Sequence, residues 1–113
     1  MKTKLDLNTW PRKEHFEFYS DIATPHYCVA FNIDITKLLE FTRKNKISFY
    51  YSLIYLCTQS INEIDEFLLE TEDNKVYKID RRVPCFTDLK KGATSFHMVS
   101  LPCDGDIIEF ATN

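Results

Sequence analysis

The sequence predicts an α/β fold, its elements ordered helix, strand, helix, helix, strands, helix. Three observations carry this. Residues 27–33 alternate in polarity with the period of a strand, and residues 48–64 carry an apolar stripe at helical spacing. After residue 67, short apolar stretches are separated by turn residues. At 113 residues the chain is the size of one domain, with enough length to bury a core, so residues 1–113 are read as a single domain.

Each element follows from local chemistry. Pro11 suits the first turn of a helix, because its missing N–H would find no partner there. Asn8 or Thr9 is available as the cap, and the helix is expected to run to about Tyr19. Pro25 limits any continuation. Tyr27, Val29, Phe31 and Ile33 then alternate with Cys28, Ala30 and Asn32, which predicts a strand. Asp34 or Thr36 can cap a second helix that carries Leu38, Leu39 and Phe41 and ends near Asn45. A longer helix from about Ser48 to Ile64 places Phe49, Leu53, Leu56, Cys57, Ser60, Ile61 and Ile64 on one stripe.

The pattern then turns to strands. Phe67–Thr71 and Lys75–Ile79 flank Glu72-Asp73-Asn74, whose acidic and amide side chains suit a tight hairpin. Pro84–Leu89 and Thr94–Leu101 flank a turn at Lys90-Lys91-Gly92. Asp104-Gly105-Asp106 introduces Ile107, Ile108 and Phe110 as the start of a final helix. So short a terminal helix is marginal, and the ending reads as an interruption.

Composition narrows the function classes. Net charge is −3, and no basic run, Arg43-Lys44 and Lys90-Lys91 included, exceeds two residues, so nucleic-acid binding is not expected. The N-terminus lacks a secretory apolar run, and Ser48–Ile61 falls short of a membrane span. Cys28, Cys57, Cys85 and Cys103 form no C-x-x-C pair, and no histidine stands at zinc-finger spacing from them. No metal site is expected. Reduced thiols in a cytoplasmic protein are the expected state. The nine Phe, six Tyr and one Trp are many for this length. Core packing is the preferred reading for most of them, with some lining a ligand site.

The run Trp10-Pro11-Arg12-Lys13-Glu14-His15-Phe16-Glu17-Phe18-Tyr19 resembles the N-terminal signature of the chloramphenicol acetyltransferases. Asp34-Ile35-Thr36, Lys46-Ile47-Ser48-Phe49-Tyr50 and Val83-Pro84-Cys85-Phe86-Thr87 extend the resemblance, in collinear order, from Leu5 through Phe110. It implies the N-terminal half of a CoA-dependent acyltransferase, a two-layer fold with a mixed β-sheet, and hence a truncated domain. It also implies transfer of an acetyl group from acetyl-CoA to a drug hydroxyl, an antibiotic-resistance activity carried out by trimers with the active site between subunits.

The resemblance assigns residues as well. Phe18, Tyr19, Ala23, Pro25 and Tyr27 match positions lining the family's drug pocket, and Phe96 and Met98 match two more. A nitrophenyl ring with a dichloroacetamide chain needs flat apolar walls with few polar anchors, and these side chains supply them. Core packing is the alternative for each, and is preferred for Tyr27. Met98 and Pro25 stand where the family usually has small or aliphatic residues, which alters substrate fit. Arg12 matches an arginine that holds the aspartate of the catalytic loop, a role suited to its planar fork. A solvated helix-face arginine is the alternative.

The family's base is a histidine in a His-His-x-x-x-Asp-Gly motif, and no His-His pair occurs in these 113 residues. His15 belongs to the N-terminal signature and is structural in the family, and His26 is expected in an exposed loop. His97 precedes Asp104-Gly105 by seven positions, where the motif requires four. No catalytic residue is therefore assigned. Acyl-CoA contacts in the family come mainly from the half not represented, so no residue is assigned to acetyl-CoA either. Two functions remain. One is a chloramphenicol acetyltransferase-type protein that is inactive as this chain. The other is a non-catalytic binding or oligomerisation module that partners a full-length homologue.

Overall fold

Asp73 and Asn74 both adopt left-handed backbone, with φ of 52° and 59°. Short polar side chains tolerate that region, and two such residues in succession form the turn whose twist matches a hairpin. The computed structural model describes residues 1–112. Its elements are β1 (Lys2–Lys4), α1 (Lys13–Ser20), α2 (Thr36–Asn45), α3 (Phe49–Asn62), a 3₁₀ turn (Asp65–Leu68), β2 (Leu69–Glu72), β3 (Lys75–Ile79), β4 (Cys85–Asp88), β5 (His97–Ser100) and α4 (Ile107–Ala111). They form two compact units. One holds Met1–Ile33 and Leu68–Asp80; the other holds Asp34–Phe67 and the chain from Arg81 onward.

In the first unit the Asp73-Asn74 turn pairs β2 with β3 in a register that sets Glu72 against Lys75. β1 adds to the other edge of β3, antiparallel, giving the order β1-β3-β2. Val76, 1 % exposed, is the buried side chain of the central strand. Lys2 is drawn to this sheet by charge: its ammonium lies 2.6 Å from Glu72, 3.5 Å from Glu70 and 4.8 Å from the centre of the Tyr77 ring. Nothing in Lys2-Thr3-Lys4 announces a strand, and sequence reasoning missed it. A strand this short exists only through its partner.

The second unit has two layers. The antiparallel hairpin β4–β5 carries Phe86 and Val99 on its inner face, and α3 and α4 supply the facing layer. Phe86, Cys103 and Phe110 form the buried centre, with Tyr51, Ile54, Tyr55, Val99 and Leu101 packed around them. The rings pack edge-on or tilted, as their quadrupoles favour: Tyr51 and Phe86 are 5.2 Å apart at 80°, and Tyr55 and Phe110 5.7 Å apart at 47°. Ser48 caps α3 by accepting from the Tyr51 N–H, and Asp106 caps α4 by accepting from the Glu109 N–H. Neither Asp34 nor Thr36 is the cap of α2, which is Ile35 with no side-chain cap bond. The Asp34 carboxylate instead accepts from the Thr36 N–H and hydroxyl in a turn ahead of the helix, which holds its pKa below the usual value.

Several expectations are corrected. Residues 27–33 form no strand: Tyr27, Val29, Phe31 and Ile33 are 87, 70, 74 and 67 % exposed. Alternation specifies two faces, but a strand also needs a ladder partner, and this segment finds none among the described residues. The first helix begins at Lys13 rather than Pro11, and neither Asn8 nor Thr9 caps it. Their N–H groups bond instead to Asp6, which closes a turn ahead of the helix. The stripe expected on α3 is also displaced. Tyr51, Ile54 and Tyr55 face the core and Ser52 and Thr58 are buried, whereas Leu56, Cys57, Ile61 and Ile64 are exposed. α3 is apolar almost all round, so periodicity left its buried face undetermined. Finally, Phe86 and Phe110 are the only buried aromatic residues among those described, so core packing does not account for most of the rings.

Candidate functional site

The candidate wall residues fall at two places, one in each unit. In the first unit, α1 opens at Arg12, whose carbonyl accepts the Phe16 N–H. The helix is held by local bonds: the Ser20 hydroxyl donates to the Phe16 carbonyl at 2.6 Å, and Lys13 lies 3.8 Å from Glu17 one turn on. None of its side chains is buried. Near its end Phe18 and Tyr19 meet edge to face, 5.1 Å apart at 88°, and remain 67 and 48 % exposed. This is an aromatic surface that the helix presents rather than hides. Ala23, Pro25 and Tyr27 follow in the segment after α1, all exposed. The exposure of Tyr27 overturns the preference for core packing there. Arg12 is exposed at the N-terminal boundary of α1.

In the second unit, pairing across the β4–β5 hairpin decides which side chains face out. Val99 packs on the core, so Met98 points the other way and is 61 % exposed. Gly92, with φ of +83°, lies in the connection, a conformation that a side chain would disfavour. Phe96, immediately before β5, is 67 % exposed and borders a cavity of about 360 Å³ with Tyr50, Thr87, Asp88 and Leu89.

Two tyrosines at the start of α3 set the shape of that cavity. The Tyr50 hydroxyl donates to the Thr87 carbonyl at 2.8 Å, and the Tyr51 hydroxyl donates to the Asp88 carboxylate at 3.0 Å. Burial, chiefly, and the Asp88 carboxylate push the Tyr51 hydroxyl above its ordinary pKa, because both disfavour a phenolate. Tyr50, Tyr51 and Asp88 were not singled out from sequence. The available signal was Phe49-Tyr50-Tyr51 at the N-terminal end of a helix, where one face must meet the core and another the solvent.

His15 and His26 are exposed, whereas His97 is half-buried and stands opposite Asp88 in the hairpin register. Cys103 is buried, which raises its thiol pKa, while Cys28, Cys57 and Cys85 are exposed. Among the described residues no cluster of His, Cys, Asp or Glu is arranged to hold a metal ion. No helix among them is long and apolar enough to cross a membrane.

A family model described as chloramphenicol acetyltransferase matches residues 1–113. Chloramphenicol acetyltransferase 3 of Escherichia coli is 33% identical over 111 residues, which is 98% of this chain and 52% of that protein. The chloramphenicol acetyltransferase of Campylobacter coli is 31% identical over 112 residues, again 98% and 52%. The chain spans about half the length of the curated relatives it matches. A solved chloramphenicol acetyltransferase structure superposes with a TM-score of 0.89 at 23% identity, covering 99% of this chain and 53% of its own. That likeness shows the expected α/β, chloramphenicol acetyltransferase-like fold.

Proposed function

Because the chain belongs to the chloramphenicol acetyltransferase family, we propose that it supplies the acceptor-binding wall for acetyl transfer from acetyl-CoA to a drug hydroxyl. Phe18, Tyr19, Ala23, Pro25 and Tyr27 in the first unit, and Phe96 and Met98 in the second, are each assigned to acceptor binding, and Arg12 to orienting a carboxylate of the catalytic loop. The observation that carries this reading is the edge-to-face Phe18–Tyr19 pair, which remains exposed at the end of α1. An exposed aromatic pair keeps apolar surface in contact with water, and an aryl ligand placed on it removes that surface from water.

The wall binds and orients; it does not move a proton. The base that removes the hydroxyl proton is a histidine outside these 113 residues, in keeping with the missing His-His pair. Assembly is trimeric, the compartment cytoplasmic, and the acceptor a chloramphenicol-like hydroxyl compound. A second reading is favoured by the exposed apolar side chains of residues 27–33, which suit a protein partner. In that reading the chain is a module that joins a full-length homologue.

The purified chain, given acetyl-CoA and chloramphenicol, is expected to release no thiol above background. Loss of a base alone removes roughly 10⁴ or more in rate. Family-like turnover abolished by His97→Ala overturns the assignment. Co-expression with a full-length homologue tests the wall. Phe18→Ala and Tyr19→Ala are expected to raise KM for the drug in a co-purifying complex, and failure to co-purify at any ratio ends the module reading.

A further inference from the structure

We infer that the cavity bounded by Tyr50, Thr87, Asp88, Leu89 and Phe96 takes the protonated amine of a small ligand, with the Asp88 carboxylate as its counter-ion and the Tyr50 and Phe96 rings as its walls. It is an open depression of about 360 Å³, with room for a small organic group laid against its rings. Its charge is one-sided, since Asp88 is the only ionised group in the lining. Tyr50 has spent its hydroxyl proton on the Thr87 carbonyl, so that ring is held in place and offers a ligand no donor from that bond. Asp88 is half-buried and accepts the Tyr51 hydroxyl on Oδ2. Its Oδ1 has no hydrogen-bond partner among the described residues.

Beside the Thr87 hydroxyl, which is neutral, the one charged lining group is therefore an anionic acceptor next to two aromatic rings. A neutral hydroxyl gains one hydrogen bond from that arrangement. An ammonium gains a charge-assisted bond to Oδ1 and attraction to the ring faces as well. The titratable group facing Asp88 is His97, its partner in the hairpin register. Lys90 and Lys91 do not line the cavity.

The site goes beyond the acceptor wall, with which it shares Phe96. Its test uses neither acetyl-CoA nor chloramphenicol, so either reading can fail without the other. The 113-residue chain at pH 8 is titrated with benzylamine and with benzyl alcohol, which match in shape and differ in charge. Binding is followed by NMR at the ring protons of Tyr50 and Phe96. Benzylamine is expected to bind at least about tenfold more tightly than the alcohol, as bonds to charged groups exceed neutral ones. Asp88→Asn, which keeps an acceptor for Tyr51, is expected to abolish the preference, and Tyr51→Phe to retain it. Equal binding of the two probes, binding of neither, or shifts that spare Tyr50 and Phe96 overturns the site on the wild-type chain alone. Persistence of the preference in Asp88→Asn also overturns it.

Discussion

Tyr51 meets two demands at once: its ring packs edge-on to Phe86, and its hydroxyl donates to Asp88. Its titration is correspondingly displaced upward, first by burial and second by the carboxylate. A folded-state pKa above the unfolded one means that Tyr51 stabilises the fold fully below about pH 10, the unfolded value. That contribution is lost as pH rises through the folded value. In an alkaline titration followed by ultraviolet absorbance, one of the six tyrosines is expected to ionise after the others and to vanish from the curve in Tyr51→Phe. Asp88→Asn is expected to shift it partway back, because burial remains. A Tyr51→Phe curve that keeps its late step means that the displaced titration belongs to another tyrosine.

α3 illustrates how an element is secured at its end and in its middle. Its start rests on the Ser48 cap, a single bond to the Tyr51 N–H at 3.2 Å. Its inner face rests on Tyr51, Ile54 and Tyr55 against the hairpin and α4. Ser48→Ala is expected to cost about 1 kcal/mol. Phe86→Ala, which empties the space between the two layers, is expected to cost about 3–5 kcal/mol. Urea unfolding followed by circular dichroism gives both values from the shift in midpoint. A Phe86→Ala cost no larger than that of the cap places the core elsewhere. Ile61→Ala, on the exposed side, is expected to fall within about 0.5 kcal/mol of the parent, as surface changes do.

Taken whole, the chain exposes much of its apolar content. Residues 27–33 leave their apolar side chains in solvent, and Phe41, Leu56, Ile64 and Phe67 are exposed as well. Surface of this kind drives association. The isolated chain is expected to be oligomeric or poorly soluble, to scatter light above monomer mass, and to bind a dye that reports apolar surface. A sharp monomer peak with a cooperative thermal transition and no dye binding contradicts this.

Local chemistry was enough wherever an element closes on itself. The hairpin over Asp73-Asn74, the start of α3 at Ser48 and the Asp106 entry to α4 rest on interactions between residues a few positions apart, and each was legible in the sequence. The motif resemblance likewise reached the family without coordinates. What sequence left open depends on partners distant in the chain. β1 is a strand because β3, more than seventy residues on, presents an edge to it. Residues 27–33 carry a strand's pattern and no ladder. α3 turns Tyr51 inward and Leu56 outward because Phe86 and Phe110 arrive on one side of a helix apolar on nearly all sides. The Asp88 cavity shares this origin, since its walls come from α3, β4 and the residue preceding β5. Periodicity records which residues can be buried together; only tertiary packing selects the neighbour, because burial is a relation between two surfaces and a sequence pattern describes one.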